Sequence, residues 1–296
     1  MSSVTGQHLG FGLGAHHQGP DPDQLVEEAR HAERLGFDLF AISDHLHGGR
    51  PTWEPWTALS FLAAATERIT VATDVLGLPY RSPAVLAKMA ETLDRLSGGR
   101  LVLGLGNGGY DAEFAAFGLA VRTPGQKVAA LEEAVRLITS LWRQPSTTFD
   151  GRHFTARDAR IEPRPEAAIP VWLGTYGPRA LAVTGRLADG WLPSLQRMDL
   201  ERAAELRRQV RDAASGAGRD PDAVTCACNV QVVLDDRSGP RPRAVAGSSE
   251  AVAEQLLAVV RAGFTFPVAF GLDRAEVRER FATEVVPLVR RELALT

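Results

Sequence analysis

The sequence has few cysteines, little net charge and no long apolar run, and each shortage excludes a class of protein. Cys226 and Cys228 lie two residues apart in an apolar stretch, so their side chains share one face of a strand and cannot readily bridge each other. We expect two buried thiols. The formal net charge of −3 provides no basic field for nucleic acid.

The chain also lacks a run of about 18 apolar residues that could span a bilayer. Its first residues do not include the charged segment of a signal peptide. We therefore expect a cytoplasmic protein with a small-molecule substrate, and no nucleic-acid or membrane partner.

Short apolar runs alternate with longer segments of helical periodicity along all 296 residues. This alternation predicts repeated βα units on a parallel sheet. No GxGxxG motif follows the first strand, and eight units favour closure, so the predicted fold class is α/β, a (β/α)₈ TIM barrel. We expect one domain over residues 1–296. The predicted strands span residues 8–14, 38–43, 69–76, 100–106, 171–174, 189–192, 224–234 and 264–271.

Two insertions and one loop interrupt this pattern. The insertions are residues 107–123 after strand four and 144–169 after helix four. The second contains a turn flanked by Phe149 and Phe154, which predicts a small hairpin. Residues 238–249 are rich in Pro, Gly, Ser and Arg and predict a mobile loop after strand seven.

The residues that end the strands are candidates for chemistry, because active sites of such barrels lie there. Asp44 and His45 follow an apolar strand, and a histidine beside an aspartate is a common proton-transfer arrangement. A turn-capping role for Asp44 is the structural alternative. Asp74 interrupts the third strand, where an unpaired buried carboxylate is costly, so it must lie at the open end or be paired. His16, His17 and His47 are either pocket lining or surface.

The segment from Gly174 to Arg179 has the form of a loop entering a helix. Pro178 suits the first helical turn, and free N–H groups at a helix start can bind phosphate. Aromatic residues near the mouth predict a broad cavity for a planar or apolar molecule. They are Phe11, Trp53, Trp56, Tyr110 and Trp191, with His16 and His17 beside them.

Several motifs resemble those of the bacterial luciferase-like superfamily. The most specific are LPYRSPAVLAK at residues 78–88 and TLDRLSGGR at 92–100, and residues 43–46, 174–179 and 188–191 also match. The resemblance implies a tricyclic cofactor across the barrel mouth and a non-proline cis peptide between Asp74 and Val75. It places the cofactor phosphate at Gly177, Pro178 and Arg179. The implied cofactor-binding residues are Asp44, Asp74, Val75, Asn107, Gly108, Tyr176, Gly177, Pro178 and Arg179.

The superfamily divides by cofactor. Reduced FMN reacts with oxygen and gives monooxygenases that need a separate flavin reductase, whereas coenzyme F420 transfers hydride. The Ser43-Asp44-His45 motif and the compact insertions are more similar to the F420-dependent oxidoreductases, with FMN as the alternative. His45 is then the expected catalytic residue, with Asp44 orienting it or binding the cofactor. The sugar-phosphate branch has a glutamate where this chain has Gly109, which argues against glucose 6-phosphate.

Two other classes are weighed against this one. His45 and His47 form a His-x-His pair suited to a metal-dependent hydrolase, but such a site needs histidines from later strands, and the last, His153, precedes strand five. We expect no metal. A non-enzymatic flavin-binding protein is the second alternative. The resemblance further implies a homodimer, for which we expect an apolar surface made of Leu59, Phe61, Leu62, Leu86 and Met89.

Overall fold

Eight parallel strands close into a ring in the computed structural model, which describes residues 3–4, 7–15, 21–47, 51–237, 239 and 241–295. The strands are β1 (Ser3–Val4), β2 (Gln7–His8), β3 (Gly12–Ala15), β4 (Leu39–Ile42), β5 (Thr70–Thr73), β6 (Leu76–Gly77), β7 (Leu101–Gly106), β8 (Thr147–Asp150), β9 (Thr155–Ala159), β10 (Val171–Gly174), β11 (Gly190–Trp191), β12 (Thr225–Leu234), β13 (Val245–Gly247) and β14 (Phe266–Phe270). The ring runs β3, β4, β5, β7, β10, β11, β12 and β14, and closes from β14 to β3. The predicted (β/α)₈ TIM barrel is confirmed.

Helices follow the barrel strands and cover the outside of the ring. They are α1 (Pro22–Arg34), α2 (Pro55–Ala65), α3 (Pro83–Ser97), α4 (Asp111–Ala116), α5 (Pro124–Arg143), α6 (Pro178–Leu187), α7 (Leu200–Gly216), α8 (Ser249–Arg261), α9 (Ala275–Arg280) and α10 (Val286–Ala294). A π-helical turn, Phe281–Val285, joins α9 to α10. Local signals fix several starts: the Asp21 side chain caps α1, and Thr123 and Gln126 form a capping box on α5.

Alternation along each strand divides the core into two layers. In β4, Leu39 and Ala41 belong to an inner cluster made of strand residues, whereas Phe40 and Ile42 pack in the outer cluster with the helices. This follows from the two-residue period of side chains along a strand. The barrel interior is therefore filled, and the open space lies at the strand ends.

The third barrel strand differs from its prediction as one run of residues 69–76. It is divided into β5 and β6, and the peptide between Asp74 and Val75 is cis, at the position that the family resemblance implied. The Val75 side chain lies against two glycines of neighbouring strands. A Cβ on Gly106 or Gly174 would lie 2.7 or 2.9 Å from Val75 Cγ2, so only glycine leaves room for this side chain.

Both predicted insertions are present. Residues 107–123 contain α4, and residues 144–169 contain the antiparallel hairpin of β8 and β9, whose turn donates N–H groups to the carboxylate of Glu133 on α5. The prediction of a loop throughout 238–249 is wrong, because β13 pairs in parallel with β12 and so extends the sheet.

Two expectations about burial and membranes can be compared with the structure. Cys226 and Cys228 are buried, unbridged residues of β12, as expected. None of the helices in the described ranges is both long enough and apolar enough to cross a bilayer.

Candidate active site

The carboxyl ends of the barrel strands open into a cavity of about 640 Å³. Seven of the predicted site residues line it: Asp44, His45, Asp74, Val75, Asn107, Gly108 and Tyr176. Among these seven residues the separation in the sequence reaches 132 residues, from Asp44 to Tyr176.

The remaining predicted residues lie elsewhere. Gly177, Pro178 and Arg179 are exposed at the start of α6, next to Tyr176, and do not line the cavity. His47 is exposed and makes a T-shaped contact with the Phe117 ring. Of the two alternatives, pocket lining or surface, it is therefore a surface residue. His16 and His17 lie outside the described residues.

Asp44 is a fully paired carboxylate. Its Oδ2 accepts hydrogen bonds from the Arg81 guanidinium at 2.7 Å and from the Gly77 backbone N–H at 2.8 Å, and its Oδ1 lies 3.3 Å from Arg81 Nη2. Arg81 also pairs with Glu54, the residue that caps α2. Asp44 thus attaches the segment after β6 to the end of β4.

His45 is oriented by a different residue from the one expected. Its Nδ1 lies 2.9 Å from Glu113 Oε1, and the Tyr80 hydroxyl donates to Glu113 Oε2 at 3.2 Å. Of the two roles expected for Asp44, orienting His45 is wrong, because its oxygens are bonded to Arg81 and to the Gly77 backbone instead of the imidazole. The imidazole remains 45% exposed beside the cavity, with the Tyr110 ring edge-on to it.

Asp74 lies at the open end and is paired on one side only. Asn229 Nδ2 donates to Asp74 Oδ1 at 2.8 Å. Burial raises the pKa of the Asp74 carboxyl to about 6, a rise that the Asn229 hydrogen bond and the nearby His45 oppose. At neutral pH this carboxylate is therefore ionised in a poorly solvated place.

Arg197 lies between two tyrosine rings at the rim. Its guanidinium is 5.4 Å from the ring centroids of both Tyr110 and Tyr176, and it donates to the Tyr110 hydroxyl at 2.7 Å. The Tyr176 hydroxyl accepts from the Ser194 backbone, and burial raises the pKa of this phenol, so it stays protonated. One cation thus joins the loops after β7, β10 and β11.

Sequence reasoning missed four residues of this site: Arg81, Glu113, Arg197 and Asn229. Glu113 could have been predicted, because it follows β7, the fourth barrel strand, by a few residues, and barrel active sites are built there. Of the aromatic residues expected in the cavity, Tyr110 lines it, whereas Phe11, Trp56 and Trp191 are buried in the core. Across the described part of the chain, no group of three or more His, Cys, Asp or Glu side chains is placed to hold a metal ion.

A closed (β/α)₈ barrel with titratable side chains around a cavity at its strand carboxyl ends is the architecture of a barrel enzyme. The chain belongs to the luciferase-like monooxygenase family, whose model matches residues 8–241.

Curated relatives are F420-dependent glucose-6-phosphate dehydrogenases. That of Microbacterium testaceum is 33% identical over 231 residues, which cover 76% of this chain and 68% of the relative. That of Nakamurella multipartita is 33% identical over 239 residues, which cover 78% of this chain and 70% of the relative.

Solved structures share the fold at lower identity. An F420-dependent secondary alcohol dehydrogenase in complex with an F420-acetone adduct has a TM-score of 0.85 at 19% identity, over 96% of this chain and 100% of that one. The F420-dependent tetrahydromethanopterin reductase of Methanopyrus kandleri has a TM-score of 0.84 at 19% identity, over 95% and 99%. A long-chain alkane monooxygenase has a TM-score of 0.82 at 13% identity, over 97% and 92%.

Proposed function

We propose that this protein is an oxidoreductase that transfers hydride between coenzyme F420 and a small organic substrate. Family membership and the F420-dependent relatives support this proposal. The observation that carries it is the pairing of His45 with Glu113 in the wall of the mouth cavity, because hydride transfer to or from an organic substrate needs a partner for the accompanying proton. An FMN-dependent monooxygenase with a separate flavin reductase is the alternative, and the family description and the alkane monooxygenase fold favour it.

The lining suits a flat, partly polar cofactor. Val75 presents an apolar surface seated between glycines, and Asn107, Gly108 and Tyr176 lie around it. These residues would hold the ring, and the exposed N-terminus of α6 at Gly177 would hold the phosphate. Coenzyme F420 supplies a ring carbon that accepts or donates hydride as a pair of electrons.

His45 performs the proton transfer in this proposal. Glu113 is hydrogen-bonded to Nδ1 of His45, and this leaves Nε2 as the nitrogen that exchanges a proton with the substrate. Glu113 orients the imidazole and is itself held by the Tyr80 hydroxyl. Asp44 shapes the wall by holding Arg81, without a contact to the imidazole.

The test is binding and turnover in His45→Ala. Absorbance titration of the parent with oxidised F420 and with FMN identifies the cofactor. His45→Ala should then bind this cofactor as tightly as the parent while turnover falls by roughly 10²–10⁴, the usual loss for a general acid or base. His47→Ala is the control, because His47 is exposed and does not line the cavity. Binding of FMN alone would support the monooxygenase, and an unchanged rate in His45→Ala would remove this histidine from the mechanism.

The substrate of the curated relatives does not carry over to this chain directly. Gly109 lines the cavity and lies at the position where the resemblance implied a glutamate, so the wall lacks that carboxylate. A Cβ built there meets nothing within 4 Å, which leaves additional open space in the cavity. We therefore keep the substrate class at a small organic molecule.

We also propose a homodimer, through a surface that shares the exposed Phe61 and the half-buried Met89 with the expected one. Leu59, Leu62 and Leu86 are buried within the protomer and offer no contact. The exposed apolar side chains on α2 and α3 are Phe61, Val85 and Leu96. A second copy could cover them, and light scattering that shows a monomer at micromolar concentration would contradict the proposal.

A further inference from the structure

The floor of the cavity is made by two polar side chains from opposite sides of the barrel. Asp74 follows β5 and Asn229 belongs to β12, and three strands separate these two in either direction around the ring. The 2.8 Å hydrogen bond between them therefore crosses the barrel interior. Both residues line the cavity, in which Asp74 is buried and Asn229 half-buried.

This pair leaves two hydrogen-bond acceptors unused. Asp74 Oδ2 and Asn229 Oδ1 are buried and have no hydrogen-bond partner among the described residues. Buried polar atoms are nearly always paired, because an unpaired one loses its bonds to water without replacement. Two neighbouring side chains that both keep an acceptor free form a place for a group that donates hydrogen bonds.

The charges around the cavity also favour a ligand group without negative charge. Its lining carries three carboxylates, Asp44, Asp74 and Glu113, and the one arginine among the described lining residues is Arg197. Arg197 is at the rim, where it is engaged with two tyrosines. Arg81 neutralises Asp44, which leaves Asp74 as the unneutralised carboxylate of the floor. Such a floor repels a phosphate or carboxylate group and attracts a cation.

We propose that Asp74 and Asn229 are a substrate-recognition subsite for a neutral or cationic group with N–H or O–H donors, such as an amine, amide or hydroxyl, and that they disfavour phosphate esters. The family resemblance implied that Asp74 binds the cofactor; we assign its free acceptor to the substrate instead, and this assignment rests on the proposed function. Asp74 Oδ2 and Asn229 Oδ1 accept the two donated hydrogens. Because both oxygens are buried, the carboxylate and the amide turn toward the cavity as the group binds, while the bond between Asn229 Nδ2 and Asp74 Oδ1 keeps the two side chains together.

Three planar probes of one shape test the subsite: acetamidinium, acetamide and acetate. They offer donors with a positive charge, donors with no charge, and acceptors with a negative charge. Binding to the full-length chain is followed by NMR through the side-chain amide signals of Asn229. We expect acetamidinium to bind at least about tenfold more tightly than acetate, with acetamide between them, as one charged hydrogen-bonded contact provides.

Asp74→Asn should reverse this order, because the new amide places a donor where Oδ2 was. Acetamidinium should lose about tenfold in affinity and acetate should gain. Glu113→Gln is the matched control: it removes a carboxylate from the same cavity but not from the floor, so acetamidinium should lose less than about threefold. Equal losses in the two variants, or acetate binding as tightly as acetamidinium to the parent, would overturn the proposal.

The outcome of these probe titrations does not depend on the cofactor. The titration needs neither F420 nor turnover, so a failure to bind F420 would refute the proposed function and leave the subsite standing. Should Asp74→Asn not fold, the order of the three probes on the parent decides the matter. The same probes then contradict the subsite if they leave the Asn229 signals unchanged.

Discussion

Asp44 and Asp74 end neighbouring strands of the same barrel and are almost equally buried, yet they are treated in opposite ways. Asp44 receives two bonds from Arg81 and one from the Gly77 backbone. Asp74 receives one bond, from the neutral amide of Asn229, and one of its oxygens is left unpaired by the described residues. Burial raises the pKa of both carboxyls, but a cation and a backbone N–H oppose this rise at Asp44, whereas at Asp74 the hydrogen bond that opposes it comes from a neutral amide.

This difference separates a structural role from a binding role. A buried carboxylate with a complete set of partners stabilises the segment that supplies them, here the residues after β6. A buried carboxylate with an incomplete set is retained in spite of its cost, and such groups concentrate where a protein binds something. Three substitutions, from the largest expected effect to the smallest, can break or sharpen this contrast.

Arg81→Ala should be the most damaging change. It leaves Asp44 buried without its cation, and breaking such a pair costs about 3–5 kcal/mol in the free energy of unfolding. The control is Arg34→Ala, whose partner Glu27 and own side chain are both exposed, so the loss should be far smaller. Urea denaturation of the three proteins measures both values. Similar losses for the two variants would show that Asp44 does not depend on Arg81.

Asp74→Asn should change stability in a pH-dependent way. The pKa of Asp74 is raised from 3.8 to about 6, so between these values the folded protein binds more protons than the unfolded chain, and the contribution of this group to stability falls as the pH rises. The variant lacks this titration. Relative to the parent, its free energy of unfolding should therefore rise between pH 4 and pH 7, by up to about 3 kcal/mol. Denaturation at both pH values tests this, and a constant difference would place Asp74 in a well-solvated environment.

Glu113→Gln should have the smallest effect, because Glu113 lies between the two extremes. It binds His45 and Tyr80 and is mostly buried, and glutamine can keep a neutral hydrogen bond to the imidazole. A charged hydrogen bond exceeds a neutral one by about 1 kcal/mol, so kcat should fall about fivefold. KM should stay unchanged, since Glu113 acts through His45. Glu113→Ala serves as the comparison and should lower kcat further, and a change confined to KM would place Glu113 on the substrate instead.

The barrel could be predicted because its signals are local and repeated. Each strand is a short apolar run, and several of the helices between them have their own cap, as at Asp21 and Thr123, so eight units could be counted without knowing any contact. Residues at strand ends could also be named, and Asp44, His45 and Asp74 do line the cavity. Which side chains pair there could not be derived, because their partners come from distant parts of the chain.

Asn229 shows this limit most clearly. It lies in β12 between Cys228 and Val230, and nothing local distinguishes it from any polar residue of a strand; its partner Asp74 is 155 residues away. Arg81 was visible as part of a family motif, but its bond to Asp44 depends on how the segment after β6 folds back. The loop expected at 238–249 failed for the same reason, because β13 forms only where β12 is present to pair with it.

The packing of Val75 against Gly106 and Gly174 limits how this cavity wall can change during evolution or engineering. Its side chain fits only while residues 106 and 174 remain glycine, so the shape of the wall is encoded at three places far apart in the sequence. An alanine at either glycine would place its Cβ 2.7 or 2.9 Å from Val75 Cγ2, so Val75 would have to shift. A side chain at position 106 or 174 therefore fits best together with a smaller residue at position 75, so changes at these positions of the wall are coupled.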